Sequence, residues 1–245
     1  VKNNYCHLSH NKSYYGRMWF YKKIWSHIRR GGFFISDDVK DNYAFIDFAK
    51  YVNKNYQRYL KKPTRLIFEG ADEKFFYPKF SPTQDFINQF YAKLPNLKGK
   101  KLITYPGKLS SWRGQESFIK LLSDLPSDFA GLILGNYNSA KPEYYTSLQK
   151  LIEDYRLKNR VCFYGVEDDL REIYCLSKIV LNLSSKPEAF SMKLLQAAMM
   201  EKKIAGWNHG GSSEILEMCF PQGKVEFNNF DLLRQKIKEL ADTEE

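Results

Sequence analysis

From Lys101 onward the chain alternates short apolar runs with stretches whose apolar positions recur every three or four residues. The runs Leu102–Tyr105, Gly131–Leu134, Val161–Tyr164, Ile179–Leu183, Lys203–Gly206 and Lys224–Phe227 predict strands. The amphipathic stretches between and after them, Gln115–Leu125, Glu143–Tyr155, Leu170–Leu176, Met192–Lys202, Ser213–Met218 and Phe230–Asp242, predict helices. Strands that alternate with helices imply βαβ units and a parallel sheet, so the expected class is α/β, a Rossmann-like parallel sheet with helices on both faces. Such sheets bind ligands at the carboxyl ends of their strands, which directs attention to the strand-to-helix loops.

The first sixty residues follow another pattern. An aromatic-rich helix is expected around Arg17–Ile28, then a break at Gly31–Gly32, a strand Phe33–Ser36, the pair Asp37–Asp38, and a second helix over Asn42–Tyr56. A basic segment, Lys61–Arg65, follows. These features predict a short α/β appendage over residues 1–60 and a larger domain over 61–245, with the boundary between Asn55 and Thr64.

Charge sharpens that division. Residues 1–100 hold 19 Lys/Arg against 8 Asp/Glu, and residues 101–245 hold 19 against 20, so the net +10 of the chain resides in its first hundred residues. A basic segment beside a neutral domain suits an anionic partner such as a phospholipid surface, a polyanionic acceptor or nucleic acid, although a solvated Lys-rich surface gives the same excess; among the partners expected is a peripheral contact with an anionic membrane. Nucleic acid is not expected, because Tyr14, Tyr15, Trp19, Phe20 and Trp25 recur at helical spacing and read as core. With no run of eighteen apolar residues and no apolar signal region after Val1, the chain is expected to be cytoplasmic, at most peripheral at the inner face of the membrane. Cys6, Cys162, Cys175 and Cys219 show no CxxC or Cys/His spacing, three of them lie in apolar stretches, and neither a disulfide nor a metal site is predicted.

Three loops carry candidate chemistry. After the first strand of the larger domain comes PGKLSSWRGQ, in which Gly107 and Gly114 relieve a turn flanked by the cations Lys108 and Arg113. A diphosphate suits two cations at a strand end, although a surface turn with two basic residues is also common. The loop SSKPEAFSMKLLQAAMM opens a helix near Ser191, where N–H groups and the helix dipole form an anion seat. Glu188 there could cap the helix or accept bonds from sugar hydroxyls, and Gln196 lies eight residues on, rotated by about 80° on the helix. The third loop, NHGGSSEI, sets His209, Gly210 and Gly211 before another helix, with Ser212 or Ser213 as its cap. No Ser-His-Asp or Cys-His arrangement is legible.

In their joint order these loops resemble the C-terminal domain of glycosyltransferase family 4, the donor-binding half of a GT-B fold. The match is carried by PGKLSSWRGQ, VCFYG, PEAFSMKLLQA and HGGSSE, with FEGADEKFFYP similar to the family's hinge segment, and it spans residues 64 to 241. The resemblance implies a nucleoside-diphosphate sugar as donor substrate, transfer with retention, no bound metal, and a cell-surface glycan or lipid-linked acceptor. It implies that Lys108 and Arg113, with Gly107, contact the diphosphate, that Glu188 contacts the sugar, and that the backbone after Phe190, at Ser191 and Met192, holds the phosphates. It further implies that Gln196 faces the ribose, that the base lies beyond Phe163, and that Gly210 belongs to the same site.

The sequence departs from the family pattern in three places. The cations are swapped as Lys108 and Arg113, the usual glycine is Ser191, and the second glutamate is Gln196. The segment SYYGRMWFYKKIWSHIRRGGFFISDD resembles the tail of a class I S-adenosylmethionine-dependent methyltransferase, through Ser13, Tyr14, Gly16, Gly31, Gly32, Asp37 and Asp38. The acceptor domain of a GT-B enzyme is expected to be missing, which leaves a non-catalytic nucleotide-sugar-binding or assembly module as the alternative to a glycosyltransferase.

Overall fold

The computed structural model describes residues 70–136, 142–165 and 169–243, together with the backbone of three strands at Gly32–Ser36, Tyr43–Asp47 and Thr64–Leu66. The chain divides into two compact units, residues 1–69 with 188–190 and residues 70–187 with 191–245.

In the first unit β1 (Gly32–Ser36) pairs antiparallel with β2 (Tyr43–Asp47), Gly32 opposite Asp47 and Ser36 opposite Tyr43. β3 (Thr64–Leu66) then adds parallel to β2. The strand β1 answers the expectation of Phe33–Ser36, but Tyr43–Asp47 corrects the helix expected to begin at Asn42. The segment is YAFID, rich in the aromatic and branched residues that favour strands, and β1 lies close enough in sequence to pair with it. The helix expected at Arg17–Ile28, Cys6 and the pair Asp37–Asp38 fall outside the described residues.

The second unit is built on six strands: β4 (Lys101–Pro106), β5 (Phe129–Leu134), β6 (Val161–Gly165), β7 (Ile179–Asn182), β8 (Ile204–Trp207) and β9 (Lys224–Val225). Every pairing is parallel and the spatial order is β6-β5-β4-β7-β8-β9. All six residues of β5 and all four of β8 are buried, which requires cover on both faces of the sheet. The cover comes from α1 (Gln84–Lys93), α2 (Gln115–Asp124), α3 (Pro142–Asp154), α4 (Arg171–Leu176), α5 (Met192–Met199), α6 (Gly210–Cys219) and α7 (Phe230–Asp242). Between sheet and helices lies one continuous core that includes Phe118, Leu122, Ile133, Leu181, Trp207 and Ile237. Cys219 is exposed at the end of α6, whereas Cys162 and Cys175 are half-buried.

That strand order fixes where a ligand can sit. The chain winds outward from β4 through β5 to β6, returns beside β4 as β7, and winds the other way to β9. In open parallel sheets, ligands are bound at the carboxyl ends of the strands on either side of such a reversal, here β4 and β7. The loops that follow these two strands carry PGKLSSWRG and SSKPEAFS.

Candidate functional site at the switch point of the sheet

The turn after β4 is fixed from below. Gly107 donates its N–H to Leu134 O at 3.0 Å, has a φ of 152°, and would place a Cβ where no atom lies within 4 Å. Lys108 is exposed, and its carbonyl accepts from Gln115 Nε2 at 3.1 Å, although Gln115 itself is fully buried. Tyr144 donates to Gln115 Oε1 at 3.0 Å, and burial, with Glu116 nearby, raises its phenol pKa, so it remains a donor and sets the orientation of the amide. At the far end of the turn the Arg113 guanidinium lies 4.1 Å over the Trp112 ring.

Gly114 closes that turn at φ 85° as the N-cap of α2, and a Cβ there would lie 2.0 Å from Leu183 O. Only glycine lets the two loops approach this closely. The contact is reinforced by hydrogen bonds from Ser185 N and Ser185 Oγ to Trp112 O, at 2.8 and 3.2 Å. The third loop joins through His209, the N-cap of α6, whose Nε2 lies 2.8 Å from Ser184 O while its ring stacks on Phe227. The loops after β4, β7 and β8 therefore meet at Ser184–Ser185.

Asn182, the last residue of β7, organises the approach to α5. Its Oδ1 accepts from Ser184 N and Ser184 Oγ, at 3.0 and 2.9 Å, and its Nδ2 donates to Ser191 Oγ at 2.8 Å and Ser212 Oγ at 3.3 Å. Ser191 is the N-cap of α5, but its hydroxyl makes no capping bond to the helix. A serine at this position ordinarily caps its own first turn. Gln196 stands on the second turn of α5, where its buried Oε1 finds no hydrogen-bond partner among the described residues.

The turn that carries Gly107, Lys108 and Arg113 meets the start of the β7–α5 loop through Trp112–Ser185 and Gly114–Leu183, and His209 ties α6, whose first residue is Gly210, to the same hub. Glu188 and Phe190 lie in that loop and group with the first unit; Glu188 is 6% exposed. Met192 and Gln196 follow on α5. Phe163 does not join the hub: it sits on β6, with β5 between it and β4, and packs its ring against Tyr145 at 4.9 Å. Backbone contacts still connect the two places, since Gly135 donates to Gly165 O at 2.8 Å. Ser212 or Ser213 is the expected cap of α6, but the helix begins earlier, at Gly210, with His209 extended before it. Their hydroxyls bond Asn182 and Asn208 instead. Among the described residues no three His, Cys, Asp or Glu side chains gather as a metal site.

Residues 87–245 match the family model described as glycosyl transferases group 1. The chain belongs to this family. Among its relatives it is 29% identical over 102 residues to N-acetyl-alpha-D-glucosaminyl L-malate synthase of Bacillus anthracis, across 42% of this chain and 25% of the relative. It is 26% identical over 231 residues to an uncharacterized glycosyltransferase of Methanocaldococcus jannaschii, across 82% of this chain and 55% of that one. Among solved structures, Anabaena HepE in complex with UDP-glucose superposes with a TM-score of 0.71 at 20% identity, over 80% of this chain and 53% of that chain. The chain thus spans between a quarter and a little over half of the proteins it resembles. The likeness to HepE establishes the fold, the GT-B half that the sequence motifs imply.

Within this glycosyl transferases group 1 domain, Tyr105, Gln115, Asn182, Ser184 and Ser185 hold the loops in place, and the sequence reading did not single them out. Asn182 had one signal: a polar residue that ends the apolar run IVLN at a strand terminus. Tyr105 had none, since a tyrosine in an apolar strand reads as core.

Proposed function

We propose that this chain is the donor-binding half of a glycosyltransferase that takes a nucleoside-diphosphate sugar in the crevice between the β4–α2 and β7–α5 loops. The reading rests on one observation above the rest: the loops that carry the family's motifs meet at Ser184–Ser185, at the switch point of the sheet. Lys108 and Arg113 supply positive charge for the diphosphate, with the close backbone of Gly107 beside them. The first turn of α5, after Phe190, offers the N–H groups of Ser191 and Met192 to a phosphate. Glu188 takes the sugar hydroxyls, Gln196 the ribose, Gly210 the approach from α6, and the strand end at Phe163 the base. Transfer proceeds with retention to a cell-surface glycan or lipid-linked acceptor held by a further domain, and the basic residues 1–100 hold the protein at an anionic membrane. HepE, crystallised with UDP-glucose, supports the donor class.

Calorimetric titration with UDP- and GDP-sugars tests the reading. One of them should bind, and Glu188→Ala should weaken the sugar nucleotide by about ten-fold, the loss of one charge-assisted hydrogen bond, while leaving the free nucleoside diphosphate unaffected. Undiminished binding by Glu188→Ala removes Glu188 from the site. Absence of binding by any donor overturns the proposal.

A further inference from the structure

We propose that Tyr105 is a positioning residue for the donor diphosphate: its phenol fixes the Arg113 peptide to the end of β7 and thereby sets where the Arg113 guanidinium points. The inference rests on the donor reading above.

Tyr105 is the penultimate residue of β4, 2% exposed, with its ring stacked on Phe118 at 4.8 Å. Its hydroxyl forms two bonds of opposite sense. It donates to Arg113 O at 2.5 Å and accepts from Leu183 N at 2.8 Å. One oxygen therefore joins the two sides of the crevice, eight residues away along one loop and seventy-eight along the other. There is no slack around it, because a Cβ on Gly114 would lie 2.0 Å from Leu183 O and 2.8 Å from Tyr105 Oη.

The direction of these bonds bears on an anionic ligand. A carbonyl turned toward a diphosphate repels it, whereas a carbonyl bonded back into the protein leaves the cation of the same residue as the group on offer. In this turn the Lys108 carbonyl is taken by Gln115 Nε2, the Trp112 carbonyl by Ser185, and the Arg113 carbonyl by Tyr105. Of these, Tyr105 acts on the residue whose guanidinium already lies against a neighbouring ring, 4.1 Å over Trp112. With main chain and plane both held, the guanidinium loses little freedom on meeting phosphate.

The test is a double-mutant cycle with Tyr105→Phe, Arg113→Ala and the pair. Each protein is titrated calorimetrically with UDP and GDP, and probed with uridine and guanosine by saturation-transfer NMR, well below the lowest melting midpoint. Tyr105→Phe should weaken the preferred diphosphate by about five-fold, leave its nucleoside unchanged, and add less than about two-fold in the Arg113→Ala background. Its melting temperature should fall as well, since the buried Leu183 N–H loses its acceptor, so the cycle rather than the melt decides the role. An equal loss in both backgrounds, an equal loss for nucleoside and diphosphate, or no loss overturns the inference alone. A wild-type chain that binds neither diphosphate overturns the donor reading and the inference together.

Discussion

Gln196 shows what a single amide does to this site. Its Oε1 is buried and without a partner among the described residues, an arrangement that ordinarily costs roughly 1–3 kcal/mol. In the proposed reading that oxygen receives a ribose hydroxyl, a neutral bond of about 0.5–1.5 kcal/mol, where a carboxylate would form a charge-assisted one of about 1.5–3 kcal/mol. Gln196→Glu should therefore bind UDP or GDP roughly five- to ten-fold more tightly, and melt at a lower temperature without nucleotide because an ionised carboxylate replaces a buried amide. The gain should fade as pH falls and burial favours the protonated acid. Calorimetry at two pH values checks both parts; equal affinity in both proteins would place Gln196 away from the ribose. The charged and glycine positions of the candidate site could be named from the sequence because their chemistry is local to a turn. Tyr105 and Asn182 were not, because their roles depend on partners that the fold brings from distant segments, such as Leu183 and Ser212.

At the scale of elements, the parallel strands were readable because each is a short apolar run that ends at a polar or glycine-containing turn. The expected helix Asn42–Tyr56 has apolar residues spaced for a helix, but Tyr43–Asp47 within it are taken up by pairing with β1. The segment 70–83 illustrates a link that no local pattern contains. Arg171, at the start of α4, lies 3.6 Å over the Phe75 ring and 4.4 Å over Phe80, and Asp169 holds its guanidinium through both carboxylate oxygens. The hydrogen bond from Arg171 holds the Asp169 carboxyl below its ordinary value. A depressed folded-state pKa adds stability above the unfolded pKa of about 3.9, and that stability is lost as pH falls through the folded value. The pair is partly exposed, so its share is about 1 kcal/mol or less. Asp169→Asn should melt slightly below the wild type at neutral pH, and the two curves should converge under strongly acidic conditions. A difference that persists at low pH would assign the effect to packing rather than charge.

For the whole molecule, the distribution of charge gives the most accessible prediction. The excess of 11 positive charges in residues 1–100, beside a net of −1 in the remainder, places the whole positive excess of the chain in its first hundred residues. No helix among the described residues is long and apolar enough to cross a membrane. Each Lys or Arg near an anionic leaflet contributes about 1 kcal/mol, an attraction confined to roughly 8 Å at physiological salt. The chain should therefore sediment with phosphatidylserine vesicles at about 0.15 M salt and be released at about 1 M, where screening shortens the range to roughly 3 Å. Phosphatidylcholine vesicles should leave it in solution, and replacing Lys61, Lys62 and Arg65 by Glu, a change of six charges in the basic segment, should reduce sedimentation without altering nucleotide affinity. Binding that resists salt, or that neutral vesicles match, would mean that apolar contacts rather than these charges hold the protein at the surface, and would leave the basic segment without a role in reaching a lipid-linked acceptor.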